Sequence, residues 1–412
     1  MNKTILFAAA GLMAISAVAN AQEKKDGFVF TTVKENPITS VKNQASSGTC
    51  WCYSGLSFVE SEAIRKGKAD TTIDLAEMFV VSNVYTDRAI KYVRTDGNVS
   101  YGQGSSCKDV LYTLQDHGIV PQEIMPGLNY GTETNKHAEM AAGLKGFVQA
   151  IATNPNKKLT PVWTKALKGI LAAYLGEEPE SFTYNGKTYT PAEYFATLDI
   201  NADDYVDITS WSHIPYYKLH PVEVGDNWRW EYAYNVQMDD ITKILDYAIE
   251  NGYTIAWGAD VSEQGFSRSG IGVVPDPSFV KKAQEKGSDE SKWLGVTSST
   301  AKYEVKGPVK EMEVTPELRQ QGYDEKTTTD DHGMHIFGIA KDQNGTKYYM
   351  VKNSWGSGSK YKGIWYISET YVKYKTMDFL IHKDALPKDI QEKCGLAAPE
   401  TADKAAKKSK KK

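Results

Sequence analysis

The sequence predicts an α+β fold, with a helix around a reactive cysteine near the start of the chain and paired strands near its end. After Cys50, apolar residues recur at steps of four, three and four, the period of one helix face, at Cys52, Leu56, Val59 and Ala63. Toward the end of the 412-residue chain, residues 332–340 and 347–352 have strand composition and flank a segment rich in turn residues. These patterns predict a helix that begins at Cys50 and a late antiparallel hairpin.

The predicted helix gives Cys50 the position of a reactive thiol. Gly48 and Thr49 interrupt the preceding segment, and Thr49 is the predicted N-cap. In the first helical turn, the helix dipole and the unpaired backbone N–H groups favour a thiolate, which is the nucleophilic form of cysteine. Gln44, six residues upstream, can bring its amide beside the backbone N–H of Cys50. Two donors aimed at one point form an oxyanion hole.

The predicted hairpin can supply a base and a residue that orients it. It brings a histidine close to Asn353, whose amide oxygen can accept a hydrogen bond from the imidazole and fix its tautomer. Trp355 is expected to shield that hydrogen bond from water. The hairpin register does not choose between His332 and His335, because the turn can centre near residue 342 or near residue 344. The two histidines have opposite strand parity, so at most one of them faces the same side as Asn353.

Together these motifs resemble the papain superfamily of cysteine peptidases. The shared pattern is Gln-x5-Cys-Trp from residue 44, Asp-His-Gly from residue 331 and Lys-Asn-Ser-Trp-Gly from residue 352. Within that superfamily, Ser-Ser-Gly-x-Cys-Trp and His-Gly-Met are most similar to the bleomycin hydrolase and aminopeptidase C branch. The likeness covers roughly residues 28–125 and 205–390.

The resemblance implies a fold and a set of catalytic roles. A papain-like fold has a helical lobe, here carrying Cys50, and a β-barrel-like lobe, here carrying His332 and Asn353, with the active-site cleft between them. By position in the motifs, Cys50 is the nucleophile, His332 the general base and acid, and Asn353 the residue that orients it. Gln44 is the oxyanion donor. In the family a small residue follows the catalytic histidine, which selects His332 over His335.

The remaining cysteines are expected to be structural thiols. Cys52 lies on the apolar face of the predicted helix, and Cys107 and Cys394 belong to no catalytic motif. Secreted papain-like enzymes usually carry a cysteine three residues before the nucleophile, in a disulfide, whereas this chain has Ser47 there. Four cysteines in a chain of this length do not form a disulfide scaffold. The sequence has no metal-ligand spacing and no nucleotide-binding motif, so the predicted chemistry needs no cofactor and no metal.

The implied reaction is hydrolysis of a peptide bond through a thioester acyl-enzyme, with aminopeptidase activity expected over endopeptidase activity. A catalytically silent binding protein of the envelope is the alternative outside enzymes. Gly102 and Gly104 are expected to line the cleft, where the backbone can pair with a substrate as an added strand, and an ordinary loop is the alternative. Asp260 and Trp355 complete the expected substrate contacts. The family also forms homo-hexamers, and the resemblance extends that expectation to this chain.

Both ends of the chain have the composition of segments outside the peptidase domain, which is expected to span residues 22–390. Residues 1–21 combine a basic start, an apolar run and an Ala-Asn-Ala cleavage site, which predicts a signal peptide and export to a periplasm or beyond the cell. A retained anchor is the alternative. Residues 391–412 are expected to form an arm that enters the cleft around Leu396, followed by a disordered lysine-rich tail. That tail can also bind nucleic acid or an anionic surface, although the whole chain has a formal net charge of −4.

The catalytic candidates are far apart in the chain. Cys50 and His332 are separated by 282 positions (332 minus 50), whereas the family spaces this pair by roughly 130–150. An insertion is therefore expected at about residues 126–204. It has a helical stripe over 161–175, followed by hairpin-turn and capping-box signals over 184–193. It is expected to fold onto the body and to shape the cleft or an oligomer contact.

Overall fold

Helices are concentrated in the first half of the described chain and strands in the second. The structure is a computed structural model that describes residues 27–155, 158–276, 278, 282–284, 301–303 and 305–396. The predicted signal peptide and the lysine-rich tail lie outside these residues, so both remain predictions.

The helices of the described residues follow one another as α1 (Cys50–Arg65), α2 (Glu77–Arg94), α3 (Lys108–His117), α4 (Ala138–Ala152), α5 (Val162–Leu175), α6 (Pro191–Ala196), α7 (Met238–Glu250), α8 (Pro316–Asp324), α9 (Glu369–Lys375) and α10 (Lys388–Cys394). Two short 3-10 turns span Ala202–Asp204 and Lys383–Ala385.

The strands are β1 (Thr31–Glu35), β2 (Phe182–Tyr184), β3 (Lys187–Tyr189), β4 (Tyr205–Thr209), β5 (Leu219–Pro221), β6 (Tyr232–Asn235), β7 (Ile255–Ala259), β8 (Phe266–Ser267), β9 (Ile271–Gly272), β10 (Lys282–Gln284), β11 (Ala301–Tyr303), β12 (His332–Lys341), β13 (Lys347–Lys352), β14 (Ile364–Ser368) and β15 (Thr376–His382).

One large sheet contains eleven of these strands. They follow the order β5-β6-β4-β15-β7-β12-β13-β14-β9-β8, and β1 pairs with the far part of β12. Neighbours are antiparallel except for β4 with β6 and β14 with β9. Because β12 is hydrogen-bonded to β7 on one side and to β13 on the other, its first residue, His332, starts on a fixed central strand.

Two large hydrophobic cores hold the helices and the sheet. The first core joins α1 to α5, with fully buried side chains that include Leu56, Val80, Leu114 and Leu171. The second lies between α7 and the sheet, with buried side chains that include Ile244, Trp257, Met334 and Tyr349. Helix α1 packs against the opposite face of β12, where the Ser57 hydroxyl lies 2.8 Å from Nδ1 of His335. The start of α1 therefore lies beside the start of β12.

The local predictions for residues 126–204 are confirmed. The helical stripe forms α5, and the turn between β2 and β3 has Asn185 and Gly186 at φ angles of 49° and 74°, which is the left-handed backbone of a tight hairpin. Thr190 and Glu193 form the capping box at the start of α6. Side chains of α4 and α5 belong to the first hydrophobic core, so this segment is folded against the other helices.

The start of α1 differs from the prediction in one respect. The helix begins at Cys50 and Thr49 occupies the N-cap position, but the Thr49 side chain caps no backbone N–H. Its hydroxyl instead lies 2.5 Å from the hydroxyl of Ser47, which in turn donates to the carbonyl of Gln44. The residues before Cys50 therefore hold one another, and the helix start lacks a side-chain cap.

Candidate active site

Cys50 is the first residue of α1 and lies on the wall of a cleft with a volume of about 430 Å³. The residue is 8% exposed, so the thiol is largely sheltered yet reachable from the cleft. Walls of the cleft come from the first turn of α1, the loop over residues 101–107, helix α4 and the sheet. Because the helices and the sheet both contribute, the cleft is where residues from distant parts of the chain meet.

His332 borders the same cleft and is hydrogen-bonded to Asn353. Nε2 of His332 lies 2.8 Å from Oδ1 of Asn353. The same Oδ1 accepts a hydrogen bond of 2.7 Å from the backbone N–H of Ser354, which fixes the orientation of the amide. Since an amide oxygen only accepts, Nε2 must carry the hydrogen, and Nδ1 is the nitrogen that exchanges a proton in the neutral ring. Both residues are buried.

The indole of Trp355 covers this pair. Its ring centroid lies 4.9 Å from that of His332, at an interplanar angle of 34°. Trp355 in turn packs edge-on against Phe266 and Trp365, with centroid distances of 5.9 and 5.3 Å. The aromatic cluster keeps water from the hydrogen bond between His332 and Asn353, as the sequence predicted.

A bulge in the hairpin decides which histidine faces Asn353. Near the turn, Lys341 pairs with Lys347, and this register continued without interruption would put His335 opposite Asn353. The register shifts between Ile336 and Gly338, so that His335 instead pairs with Lys352. One extra residue in β12 thus exchanges the two faces of the strand and turns His332 toward Asn353.

His335 is placed in a separate buried network behind the cleft. Its Nδ1 lies 2.8 Å from the Ser57 hydroxyl, which also accepts a hydrogen bond of 2.8 Å from Nζ of Lys352. The same ammonium donates to Thr39, whose hydroxyl bonds to the carboxylate of Glu60. Burial, together with the charge of Lys352, holds the pKa of His335 well below its usual value. A ring kept neutral in this way is unsuited to take up a proton during catalysis.

Gln44 is held rigidly next to the Cys50 loop. Its Nε2 donates to the carbonyl of Ser47 over 2.9 Å, and its Oε1 accepts from the hydroxyl of Ser354. The backbone N–H of Gln44 also donates to the carbonyl of Ser354 over 2.8 Å. Among the described residues, no acceptor takes the second N–H of this amide. The side chain is fully buried and is not part of the cleft wall, and its predicted position beside the thiol stays a prediction.

Glycines let the two sides of the cleft approach each other. A Cβ on Gly333 would lie 2.7 Å from the Ser54 hydroxyl and 3.1 Å from Cα of Trp51, so only glycine permits β12 to pack this closely on α1. Across the cleft, the loop with Gly102 and Gly104 is tied to α1 because the Trp51 indole donates to the carbonyl of Gln103 over 2.9 Å. Gly102 and Gly104 both border the cleft, as predicted.

Comparison with known proteins identifies the family. The model of the Peptidase C1-like family matches residues 5–275 and 312–400. The chain belongs to the Peptidase C1-like family. It is a cysteine-type peptidase of the papain superfamily, in the aminopeptidase C branch, which confirms the identification made from the motifs.

Relatives of this peptidase match it over most of their length. Aminopeptidase G of Lactobacillus delbrueckii subsp. lactis is 23% identical over 401 residues, which cover 88% of this chain and 85% of that protein. Aminopeptidase C of Lactococcus lactis subsp. cremoris is 21% identical, with 86% and 82% covered. The mitochondrial cysteine proteinase 1 of Saccharomyces cerevisiae (strain YJM789) is 20% identical, with 90% and 80% covered.

A solved structure supports the fold of the peptidase. The crystal structure of PepW from Lactobacillus rhamnosis HN001 superimposes with a TM-score of 0.65 at 18% identity, covering 89% of this chain and 84% of that one. The predicted α+β papain-like fold is therefore confirmed.

Two of the predicted substrate contacts are not part of the cleft wall. Asp260 is fully buried and forms an ion pair of 3.3 Å with Lys375, and it accepts hydrogen bonds from Ser262 and Thr329. The negative charge of Asp260 is therefore paired with Lys375 in the interior, and the residue does not border the cleft. Trp355 packs against His332, which borders the cleft, but is not itself part of the cleft wall. The burial of Asp260 does not fit its predicted contact with the substrate, whereas the predicted contact of Trp355 stays a prediction.

The thiols other than Cys50 agree with the sequence analysis. None of the four cysteines, which all lie within the described residues, forms a disulfide. Cys52 is fully buried, its thiol donates to the carbonyl of Glu77 over 3.4 Å, and burial raises its pKa well above the usual value. Cys107 borders the cleft and lies 3.2 Å from the Ser54 hydroxyl. In the described residues no group of three or more His, Cys, Asp or Glu side chains is arranged to hold a metal ion.

The end of the described chain does not enter the cleft. Helix α10 is followed by Leu396, which packs against the core between α7 and the sheet. The expectation that the arm enters the cleft around Leu396 is therefore wrong at that residue, and the rest of the arm lies outside the described residues. No helix within those residues is both long and apolar enough to cross a bilayer.

Three carboxylates of the cleft were not predicted from the sequence. Asp207, Asp330 and Asp378 border it, and they come from β4, from the residues just before β12 and from β15. Burial raises the pKa of Asp207 to about 6, although Lys108 opposes the shift. Desolvation and the charge of Asp207 raise the pKa of Asp378 to about 7. Only Asp330 could have been suspected from the sequence, because it lies two residues before His332. No motif lies next to Asp207 or Asp378.

The two cleft glycines should respond differently to substitution. Gly104→Ala should lower the free energy of unfolding by about 1–3 kcal/mol, because its Cβ would lie 1.9 Å from Oδ2 of Asp226. Gly102→Ala should be nearly neutral, since no atom lies within 4 Å of the added Cβ. Chemical denaturation of both variants measures the difference. Equal stability of the two variants would show that Asp226 moves aside at little cost and would contradict this prediction.

Proposed function

We propose that this protein is an exported aminopeptidase that cleaves peptide bonds with Cys50, His332 and Asn353. The observation that carries the proposal is the hydrogen bond of 2.8 Å between His332 and Asn353, in the same cleft that Cys50 borders. It gives an imidazole of fixed tautomer beside a cysteine at a helix start, which is the arrangement a thiol nucleophile needs. The aminopeptidase names of the relatives favour removal of amino-terminal residues.

In the proposed reaction the Cys50 thiolate attacks the carbonyl carbon of the substrate. The backbone N–H of Cys50 and the second N–H of the Gln44 amide stabilise the oxyanion. His332 donates its proton to the leaving amine, the C–N bond breaks, and a thioester remains on Cys50. His332 then takes a proton from water, which attacks the thioester and releases the acid and the thiolate. Asn353 keeps the imidazole in the productive orientation throughout.

The wider organisation belongs to the same proposal. We infer two lobes that meet at the cleft, with residues 126–204 inserted into the helical one, and this rests on the packing of α4 and α5 into the helical core. The four cleft-bordering residues of α4, Ala138, Ala141, Ala142 and Lys145, support a role for the insertion in shaping the cleft. Export by the amino-terminal signal and assembly into a hexamer are expectations from sequence that complete the proposal.

Amine-blocked and free-amine peptides separate an aminopeptidase from an endopeptidase. The free-amine substrate should be cleaved at least about tenfold more efficiently than its acetylated counterpart. Because α10 and Leu396 pack against the body, an arm that limits access must lie beyond them, and the informative truncation ends at Leu396. This truncation should raise cleavage of the acetylated peptide. An acetylated peptide cleaved as well as the free one by the full chain would instead favour an endopeptidase.

A further inference from the structure

The cleft beside Cys50 is strongly acidic. Six carboxylates border it, at Asp207, Asp226, Glu231, Asp330, Asp331 and Asp378. Among the described residues on its wall, Lys145 is the only lysine or arginine, and it is exposed to solvent on α4. A cleft lined by one sign of charge concentrates ligands of the opposite sign.

Three of these carboxylates already have cationic partners behind the wall. Nζ of Lys108 lies 3.3 Å from Asp207 and 4.0 Å from Glu231. The guanidinium of Arg88, which has no exposed side-chain surface, lies 3.3 Å from Asp226. Two cations therefore lie against three carboxylates and offset most of this negative charge within the protein.

The remaining three carboxylates of the cleft differ in their partners. Asp331 accepts hydrogen bonds from the backbone N–H groups of Val261 and Ser262. For Asp330 and Asp378, no described residue supplies an ion pair or a side-chain hydrogen bond. Asp330 also lies within electrostatic range of Asp378. Desolvation raises the pKa of both carboxyl groups, so a cation that joins them would favour their ionised forms.

The sheet places Asp378 one strand beyond β7, in the same row as the residue that follows the catalytic histidine. Gly333, which follows His332, pairs with Gly258 on β7, and Gly258 pairs with Asp378 on β15. Two of the three positions in this row have no side chain. The Asp378 carboxylate leans over the row, because a Cβ on Gly258 would lie 2.4 Å from its Oδ1. Two strand spacings put β15 roughly 10 Å from β12, about the reach of one or two peptide residues.

We propose that Asp330 and Asp378 form a cation subsite of the cleft, which selects peptides carrying a positive charge close to the bond that is cleaved. The inference rests on the proposed peptidase function and names its substrate class. The charge can be a free α-ammonium group or the side chain of Lys or Arg, since both present N–H donors to carboxylates. Both carboxylates border the same cleft as His332, and the group reaches them through that cleft.

The first test compares three fluorogenic substrates that share the same leaving group and the same residue next to it. They differ only in the residue before that one, which is acetyl-norleucine, acetyl-lysine or norleucine with a free amine. The wild-type enzyme should prefer at least one charged form over acetyl-norleucine by about 10- to 100-fold in kcat/KM. Asp378→Asn and Asp330→Asn should each reduce that preference to below about threefold, mainly through KM. Whichever charged substrate loses its advantage identifies the source of the cation.

Asp239→Asn is the matched control for these variants. It removes the same charge from α7, where the side chain is 80% exposed and is paired with Lys373 outside the cleft. This variant should keep the wild-type preference. A preference that is absent in the wild type, or that survives in both Asp330→Asn and Asp378→Asn, would overturn the subsite. An equal loss on all three substrates would show that the carboxylates serve structure only. Because Asp330 is exposed, its variant remains informative if Asp378→Asn fails to fold.

A second measurement does not depend on turnover. Methanethiosulfonate reagents with a trimethylammonium or a sulfonate group modify thiols at rates that report the local potential, and peptide mass mapping separates Cys50 from Cys107. The trimethylammonium reagent should modify Cys50 at least about tenfold faster than the sulfonate reagent does, and Asp378→Asn should lower this ratio of the two rates. If the wild-type protein shows this rate ratio but has no peptidase activity, the proposed function is rejected and the subsite is kept. If the wild-type protein is an active peptidase and the rate ratio is near one, only the subsite is rejected.

Discussion

Cys50→Ala should abolish peptide hydrolysis, lowering kcat/KM by about 10⁴-fold or more. The reaction proposed here passes through a thioester on this sulfur, and the hydrogen-bonded pair of His332 and Asn353 cannot form it alone. Cys50→Ser should be nearly as inactive, because a hydroxyl in the same place is a far weaker nucleophile at neutral pH. Steady-state kinetics on a free-amine fluorogenic peptide measures both variants.

Cys52→Ala is the matched control for this loss. Cys52 is two residues farther along α1, is fully buried and donates to the carbonyl of Glu77. Its replacement should cost about 1 kcal/mol of stability by leaving a small cavity, and kcat/KM should stay within about threefold of wild type. If Cys50→Ala retained normal turnover while Cys52→Ala lost it, the nucleophile would be misassigned.

His332→Gln should lower kcat/KM by about 10³-fold or more. Glutamine can keep a hydrogen bond to Asn353 but cannot carry a proton from the thiol to the leaving amine. The fold should be unaffected, because Trp355 still covers the position and β12 is held by strands on both sides. Loss of activity without loss of unfolding temperature would therefore isolate the chemical role.

His335→Gln tests the same choice from the other side. His335 is fully buried against Ser57, so its replacement should lower stability but leave the catalytic pair in place. We expect kcat/KM within about fivefold of wild type at a temperature where the variant is folded. Normal turnover in His332→Gln together with lost turnover in His335→Gln would identify the other histidine as the base.

Much of the catalytic geometry was predictable because short segments determine it. The start of α1 at Cys50 follows from its apolar period, and β13 spans the predicted residues 347–352. The pairing of a histidine with Asn353 followed from the hairpin and the motifs. The small residue after His332 also has a physical reason, since any side chain on Gly333 would collide with α1.

The choice between the two histidines required information that the residues alone did not contain. It depends on a register shift between Ile336 and Gly338, inside a strand of continuous apolar composition. Such a shift is set by pairing on both sides of β12, where β1 has its own irregularity between Thr32 and Lys34. A one-residue slip has no signature in a strand buried on both faces.

Asp260 and Asp378 show the same limit for charged residues. Asp260 was expected to contact the substrate, yet Lys375, more than a hundred residues later, neutralises it in the interior. Asp378 was overlooked in β15 because the groups that define its surroundings, Gly258 and Asp207, come from other strands. Which carboxylates remain unbalanced is decided by tertiary pairing, and no local pattern reports it.

The most direct test of the central claim is the site of labelling by a thiol-directed epoxide in the folded, active protein. Intact mass followed by peptide mapping should find one adduct, on Cys50, appearing in step with the loss of peptidase activity. Cys107 borders the same cleft and serves as an internal comparison within one molecule. His332→Gln should slow the labelling of Cys50. Complete inactivation with the adduct on Cys107, or full activity after stoichiometric labelling of Cys50, would contradict the proposed mechanism.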